Sequence, residues 1–261
     1  MAKRKVYPNS LEERRGWRDG YPSLFCGKGS ATSALTRIFC LEPASAAQLI
    51  EFPGKPPSAT DNGVLLKVMA DGFVSYYIDE SVPLSKRRFN RPRRLYCLNR
   101  IDGIGPEIRA TLQSIAMSVG LSSYEARSVA NDVPMLPGQQ AVNLSNLFGT
   151  PNRTTTIVLL AIDDYLDAST ISRVVGVRPD GDSIALLKPL VDGRVIKRIR
   201  CGKLMLYSLA DELWSSPLRQ LCIRIAEIEP RYYALAAVAK QLRDSENNHR
   251  VHLRNFVGRR F

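Results

Sequence analysis

Phosphate binding is the chemistry most plainly written into this sequence. Lys86, Arg87, Arg88, Arg91, Arg93, Arg94 and Arg100 stand within fifteen positions, with no acid among them. Arg194, Lys197, Arg198, Arg200 and Lys203 form a second acid-free run. Residues 1–18 add Lys3, Arg4, Lys5, Arg14, Arg15 and Arg18 against Glu12 and Glu13, and the last fifteen residues add Arg250, Arg254, Arg259 and Arg260. The whole chain carries a net charge of +12 over 261 residues. The four segments together exceed that value, so the rest of the chain is net acidic. Localised cationic charge is the footprint of a polyanionic partner. Arginine dominates, and its planar fork suits bidentate contacts to phosphates and base edges.

Other chemistries find less. The five cysteines (Cys26, Cys40, Cys97, Cys201, Cys222) are odd in number and lack a CxxC spacing, and both histidines, His249 and His252, lie near the end of the chain. Reduced, buried thiols are expected, and no zinc ligand set is formed. No P-loop or nucleophile–base pattern is present, so neither a catalytic step nor a cofactor is expected. Asp163-Asp164 is read as a solvent-facing helix end rather than a metal pair. Gly103-Ile104-Gly105-Pro106 resembles the hairpin of helix-hairpin-helix DNA binders, but the residues before it read as a strand. A turn starting the helix 107–119 is the alternative. The basic start is followed by no apolar run, and no stretch approaches the roughly 18 apolar residues of a membrane span. No membrane contact and a cytoplasmic, nucleoid-associated location are expected.

The elements that position the charge repeat. Leu65-Leu66-Lys67-Val68-Met69-Ala70-Asp71-Gly72-Phe73-Val74 lines up with Leu186-Leu187-Lys188-Pro189-Leu190-Val191-Asp192-Gly193-Arg194-Val195 at an offset of 121, with six of ten columns identical. Random composition gives roughly one or fewer. Leu95-Tyr96-Cys97-Leu98 matches Leu206-Tyr207-Ser208-Leu209, and Leu24-Phe25 matches Leu147-Phe148. Two copies of one module follow.

In the second copy, 154–165 is an apolar helix, Asp167 caps a short helix over 169–175, and Gly176 ends it. Asp182 or Ser183 caps a third helix, in which Pro189 removes one hydrogen bond. Gly193 is expected to supply its left-handed stop. A hairpin follows over 194–209, turning at Cys201-Gly202-Lys203. The first copy has helices over 31–41, 45–52 and 60–70, then strands at 74–78 and 93–99 joined by a turn ten residues longer.

This pattern of three helices and a hairpin resembles the winged helix-turn-helix superfamily, with MarR/ArsR-like modules in tandem as in regulators and replication or relaxation proteins of mobile elements. The resemblance covers about residues 24–100 and 147–210. It implies a mainly α, α+β fold and a sequence-specific duplex-DNA-binding protein, a transcription regulator or initiator. The third helix of each module would read the major groove and each wing would hold phosphates or the minor groove. Ser58, Thr60, Asn62 and Lys67 then read from the first module, and Arg178, Ser183 and Lys188 from the second, with Asp61, Asp180 and Asp182 beside them. The wings contribute Lys86 to Arg94 and Arg194 to Lys203.

The division expected is a basic arm 1–22, a first domain 23–100, a helical linker 101–139, a second domain 140–210, C-terminal helices 211–246 and a basic tail 247–261. The stripes Leu221, Ile225, Ile228 and Tyr232, Leu235, Val238, Ala239, Leu242 read as core, with a homodimer contact as the alternative. A protein-bridging module and an RNA-binding protein are the rival functions. Clustered arginine argues against the first, and the lack of an aromatic stacking platform in the sequence argues against the second.

Overall fold

The computed structural model describes residues 31–46, 49, 59–79, 94–118, 142–178, 181–202 and 204–257, with the backbone alone at 33, 59–62, 181–184 and 246–257. The chain forms two units, Met1–Thr150 and Pro151–Phe261. Among the described residues there are eight α-helices and two three-stranded antiparallel sheets.

In the first unit, α1 (Ala31–Leu41) leads into β1 (Ala44–Ser45), then α2 (Ala59–Ala70), β2 (Val74–Ile78), β3 (Arg94–Leu98) and α3 (Gly105–Ser118). The second unit repeats this order with one more helix: α4 (Pro151–Ile162), β4 (Leu166–Asp167), the additional α5 (Ala168–Val175), α6 (Gly181–Asp192), β5 (Ile196–Cys201), β6 (Leu204–Leu209) and α7 (Ser215–Ile228). The helix expected over 45–52 in the first copy lies largely outside the described residues. A long helix α8 (Arg231–Val257) follows. The sheets run β1-β3-β2 and β4-β6-β5. The two-residue strands β1 and β4 have no signature in the sequence, being too short to alternate.

Local chemistry sets the boundaries of α5 as expected. The Asp167 carboxylate accepts from the Ser169 and Thr170 backbone N–H groups at 2.9 and 3.0 Å, and Gly176 closes the helix at φ 78°. The third helix ends differently. Gly72 takes φ 80° after α2, but the left-handed residue after α6 is Arg194, at φ 54°, rather than Gly193. The capping bonds show why. Phe73 N donates to Val68 O and Val195 N donates to Leu190 O, so Gly72 and Arg194 are equivalent. Structural equivalence therefore runs at an offset of 122, one residue away from the register of greatest identity. Burial agrees: Leu65 and Val68 match the buried Leu187 and Leu190, whereas exposed Leu66 matches exposed Lys188. Pro189 sits inside α6, which continues through it.

Strand pairing gives the hairpin length. Val74 pairs Leu98, and Ile196 pairs Leu209. The first connection is thus eleven residues longer, one more than the identities indicate.

The closing helices belong to the repeat as well. α3 packs on α1, and α7 packs on α4. Ile108, Thr111, Leu112, Ile115 and Ala116 are buried on α3, and Leu218, Leu221, Cys222, Ile225 and Ala226 are buried on α7. The same five positions of a 14-residue helix face the core in each unit. An ion pair repeats with them. Glu42, just after α1, accepts from Arg109 at 2.8 Å, and Asp164, just after α4, accepts from Arg219 at 2.8 Å. The part of 101–139 over α3 is accordingly core of the first unit rather than a linker.

Residues 142–150 also belong to the first unit, although 140 onward reads as second domain in the sequence. Thr32 Oγ1 donates to Leu147 O at 3.1 Å, and the Asp71 carboxylate accepts from Asn146 and Asn143 at 2.8 and 3.3 Å. Leu147 and Phe148 are buried.

α8 packs on α4 and α5 through Tyr232, Ala236 and Ala239, and Arg243 pairs with Asp163 at 2.9 Å. The stripe considered for a homodimer is thus largely spent within the unit. Ile228 and Val238, which the helical spacing places on the stripes, are exposed. No helix among the described residues is long and apolar enough to cross a membrane.

Candidate nucleic-acid interface

The hairpins bring together what the sequence left scattered. Residues directly opposite each other on an antiparallel pair share a face, and the face alternates along the strand. In the second unit one face carries the pairs Ile196–Leu209, Arg198–Tyr207 and Arg200–Met205. Ile196 and Leu209 are buried at its base, while Arg198, Arg200 and Met205 are exposed toward the turn. The equivalent face of the first unit carries Val74–Leu98, Tyr76–Tyr96 and Ile78–Arg94. Both faces run from buried aliphatic pairs to an exposed arginine beside a tyrosine. Tyr96 and Tyr207 are equivalent, each opposite the middle of the outer strand. The β-branched run in β5 and the alternation in β2 were the available signals for these hairpins, but cross-strand partners are invisible without the register.

The cations are not all available. Lys197 Nζ bonds the Asp211 carboxylate, which holds its ammonium above the usual value. Lys188 pairs with Asp192 one turn along α6, at 2.5 Å. Lys67 Nζ donates to Gly149 O at 2.5 Å. Arg194 is exposed, 3.9 Å from Glu212, and the left-handed backbone there costs a non-glycine residue roughly 1–2 kcal/mol. Arg200 Nε donates to Gly202 O at 3.3 Å. Arg178 and Arg198 are exposed.

Thr60 and Asn62 lie in the first turn of α2, and Ser183 in the first turn of α6. Ser58, Lys86, Arg87, Arg88, Arg91, Arg93 and Lys203 lie outside the described residues, as do the paired Leu24 and Phe25. On the described part of α2 the exposed positions are Gly63, Leu66, Lys67 and Ala70; on α6 they are Ala185, Lys188 and Asp192. Apart from the two engaged lysines and Asp192, these offer no polar side chain. Any base reading by these helices therefore falls to their first turns.

Catalytic alternatives gain no geometry among the described residues. Burial pushes the Cys40 thiol up to about 12, with the Glu42 carboxylate adding to it. Burial also raises Cys97 and Cys222, so these three are poor nucleophiles. Asp163 and Asp164 are partly buried and paired with Arg243 and Arg219, which corrects their reading as a solvent-facing helix end. No group of three His, Cys, Asp or Glu side chains that could hold a metal occurs among the described residues. Before the Gly103–Pro106 turn stands strand β3, not the helix that a helix-hairpin-helix requires.

Comparison with known proteins finds no matching family model, no matching curated protein and no matching solved structure.

Proposed function

We propose that the chain binds double-stranded DNA through two winged-helix units in tandem, as a transcription regulator or as an initiator of replication or transfer in a plasmid, phage or conjugative element. The observation that carries this reading is the twofold use of a helix, a short strand, a helix and a hairpin in that order, with the first short strand paired to the last in each sheet; the second unit adds α5 between β4 and α6. In that arrangement α2 and α6 enter the major groove, which admits an α-helix, and the hairpins follow the phosphates.

Thr60, Asn62 and Ser183 are the base-reading candidates, with Ser58 and Arg178 at the approaches. Asn62 suits adenine by its paired donor and acceptor. Arg198, Arg200 and Arg94 take phosphates, together with Lys86, Arg87, Arg88, Arg91, Arg93, Arg194 and Lys203. Lys67, Lys188 and Lys197 are assigned to their intrachain partners instead. The reading requires neither a catalytic step nor a cofactor.

The test is a salt titration of duplex affinity. Each lost phosphate contact removes about 0.9 from the slope of log K against log salt. Arg198→Gln with Arg200→Gln is expected to flatten the slope by about 2, and Lys197→Gln by well under 1. Equal effects from both would refute the assignment of the second hairpin.

A further inference from the structure

We infer that the first hairpin is a stacking site for an unpaired nucleobase, so that the protein prefers DNA with a single-stranded end over blunt duplex. This rests on the DNA-binding reading above and names the substrate class that reading leaves open.

Three side chains carry the inference. The Arg94 guanidinium lies over the Tyr76 ring, its central carbon 4.4 Å from the ring centroid. Tyr76 in turn packs against Tyr96, centroids 5.8 Å apart and planes inclined at 53°. Tyr96 is buried, and Tyr76 is half-buried. Ile78, which pairs with Arg94, is exposed. The tyrosine pair is thus anchored in the sheet, and it seats the guanidinium over a ring where the described parts of β2 and β3 end.

A planar cation fixed on a ring does two things. Its rotamer entropy is spent before any ligand arrives, which lowers the cost of a later contact. Its ring-bound face is occupied while Arg94 itself stays exposed, leaving the other face to receive a second flat π-system. Nucleobases stack on aromatic rings and on guanidinium planes in this way.

An unpaired base suits the site best, since it has an open face and the freedom to turn onto the guanidinium, which a paired base at a blunt end lacks. Inside a duplex both faces of a base are covered by its neighbours, and unstacking has to be driven. At a single-stranded end one face is open without that cost. Arg94 belongs to the acid-free run Lys86 to Arg100, so the chain next to it in sequence is cationic, as suits backbone phosphates. The second hairpin presents a related pair, Arg198 directly opposite Tyr207.

The experiment compares one duplex in three forms: blunt, with a four-nucleotide 3′ overhang, and with a four-nucleotide 5′ overhang. Each overhang carries 2-aminopurine, whose fluorescence is quenched by stacking. The full chain is expected to bind at least one overhang form roughly 5- to 100-fold more tightly than the blunt form, with quenching, as one stacked base implies. Arg94→Lys keeps the charge and removes the plane, so it should bring the overhang-to-blunt ratio close to one and abolish the quench. Tyr76→Leu, checked for folding by its thermal transition, should do the same.

Equal affinity for all three forms without quenching overturns the inference while leaving duplex binding intact. So does an overhang preference that survives Arg94→Lys. Absence of binding to the blunt form, with the overhang forms still bound and quenched, overturns the duplex reading and keeps the stacking site. Binding to none of the three overturns both.

Discussion

Replacing Arg87, Arg88, Arg91, Arg93 and Arg94 together by glutamine is expected to reduce the salt slope of duplex affinity by up to about 4.5. Over a rise from 50 to 200 mM salt, that slope corresponds to a loss on the order of 10²- to 10³-fold in the parent that the variant would not show. The expectation starts from charge. Residues 86–100 contain seven of the chain's 37 basic residues and no acid within the run itself. The contrast with the second hairpin is instructive. There Lys197 is already compensated by Asp211, and Arg194 has Glu212 nearby. The first hairpin is therefore expected to be the larger source of counterion release. An anisotropy titration at four salt concentrations measures the slope directly. A slope that stays the same after the fivefold change would mean that the run serves something other than a polyanion.

Arg109→Met is expected to destabilise the first unit by about 3 kcal/mol. Glu42 is 5% exposed, and its carboxylate accepts from Leu98 N at 2.7 Å and from Arg109 at 2.8 Å. Removing the guanidinium leaves a buried anion with a single backbone donor, and breaking a buried pair from one side costs roughly 3–5 kcal/mol. The Arg109 side chain is 37% exposed, so the lower end of that range applies. Glu42→Gln in the same chain should recover part of the loss, because it removes the stranded charge and keeps an acceptor for Leu98 N. In the second unit Asp164 is 29% exposed, and Arg219→Met should cost only about 1 kcal/mol. Urea unfolding of the three variants beside the parent measures all of this. Equal losses from Arg109→Met and Arg219→Met would show that burial does not set the cost.

The sequence made some of this legible and hid the rest for identifiable reasons. The Asp167 cap and the Gly176 stop act within three residues of the helix they bound, and their side-chain chemistry is sufficient to place α5. The hairpins were readable from alternation in β2 and from β-branched residues in β5. The register of the repeat was not, because the identical Asp-Gly pairs sit one residue apart in structural terms: Gly72 is left-handed, and its counterpart is Arg194. Identity rewarded the wrong column. The closing helices escaped for the opposite reason. Their five buried positions coincide, but only Ile115–Ile225 and Ala116–Ala226 keep the residue type.

Among the site residues, the Lys188–Asp192 pair could have been found from its spacing of four on a helix. Lys197–Asp211 and Lys67–Gly149 could not, since their partners lie 14 and 82 residues away. The Tyr76–Tyr96–Arg94 stack needed both strands and their register before it could be seen. This is why no aromatic platform was apparent from the sequence.

A random-duplex selection with the full chain, followed by affinity for the winning sequence and for its scrambled control, tests the central claim most directly. An enriched site bound about 10³-fold or more above the control, with both affinities falling steeply as salt rises, is the predicted result. Failure to enrich any sequence, together with weak and salt-insensitive binding of both duplexes, would contradict it.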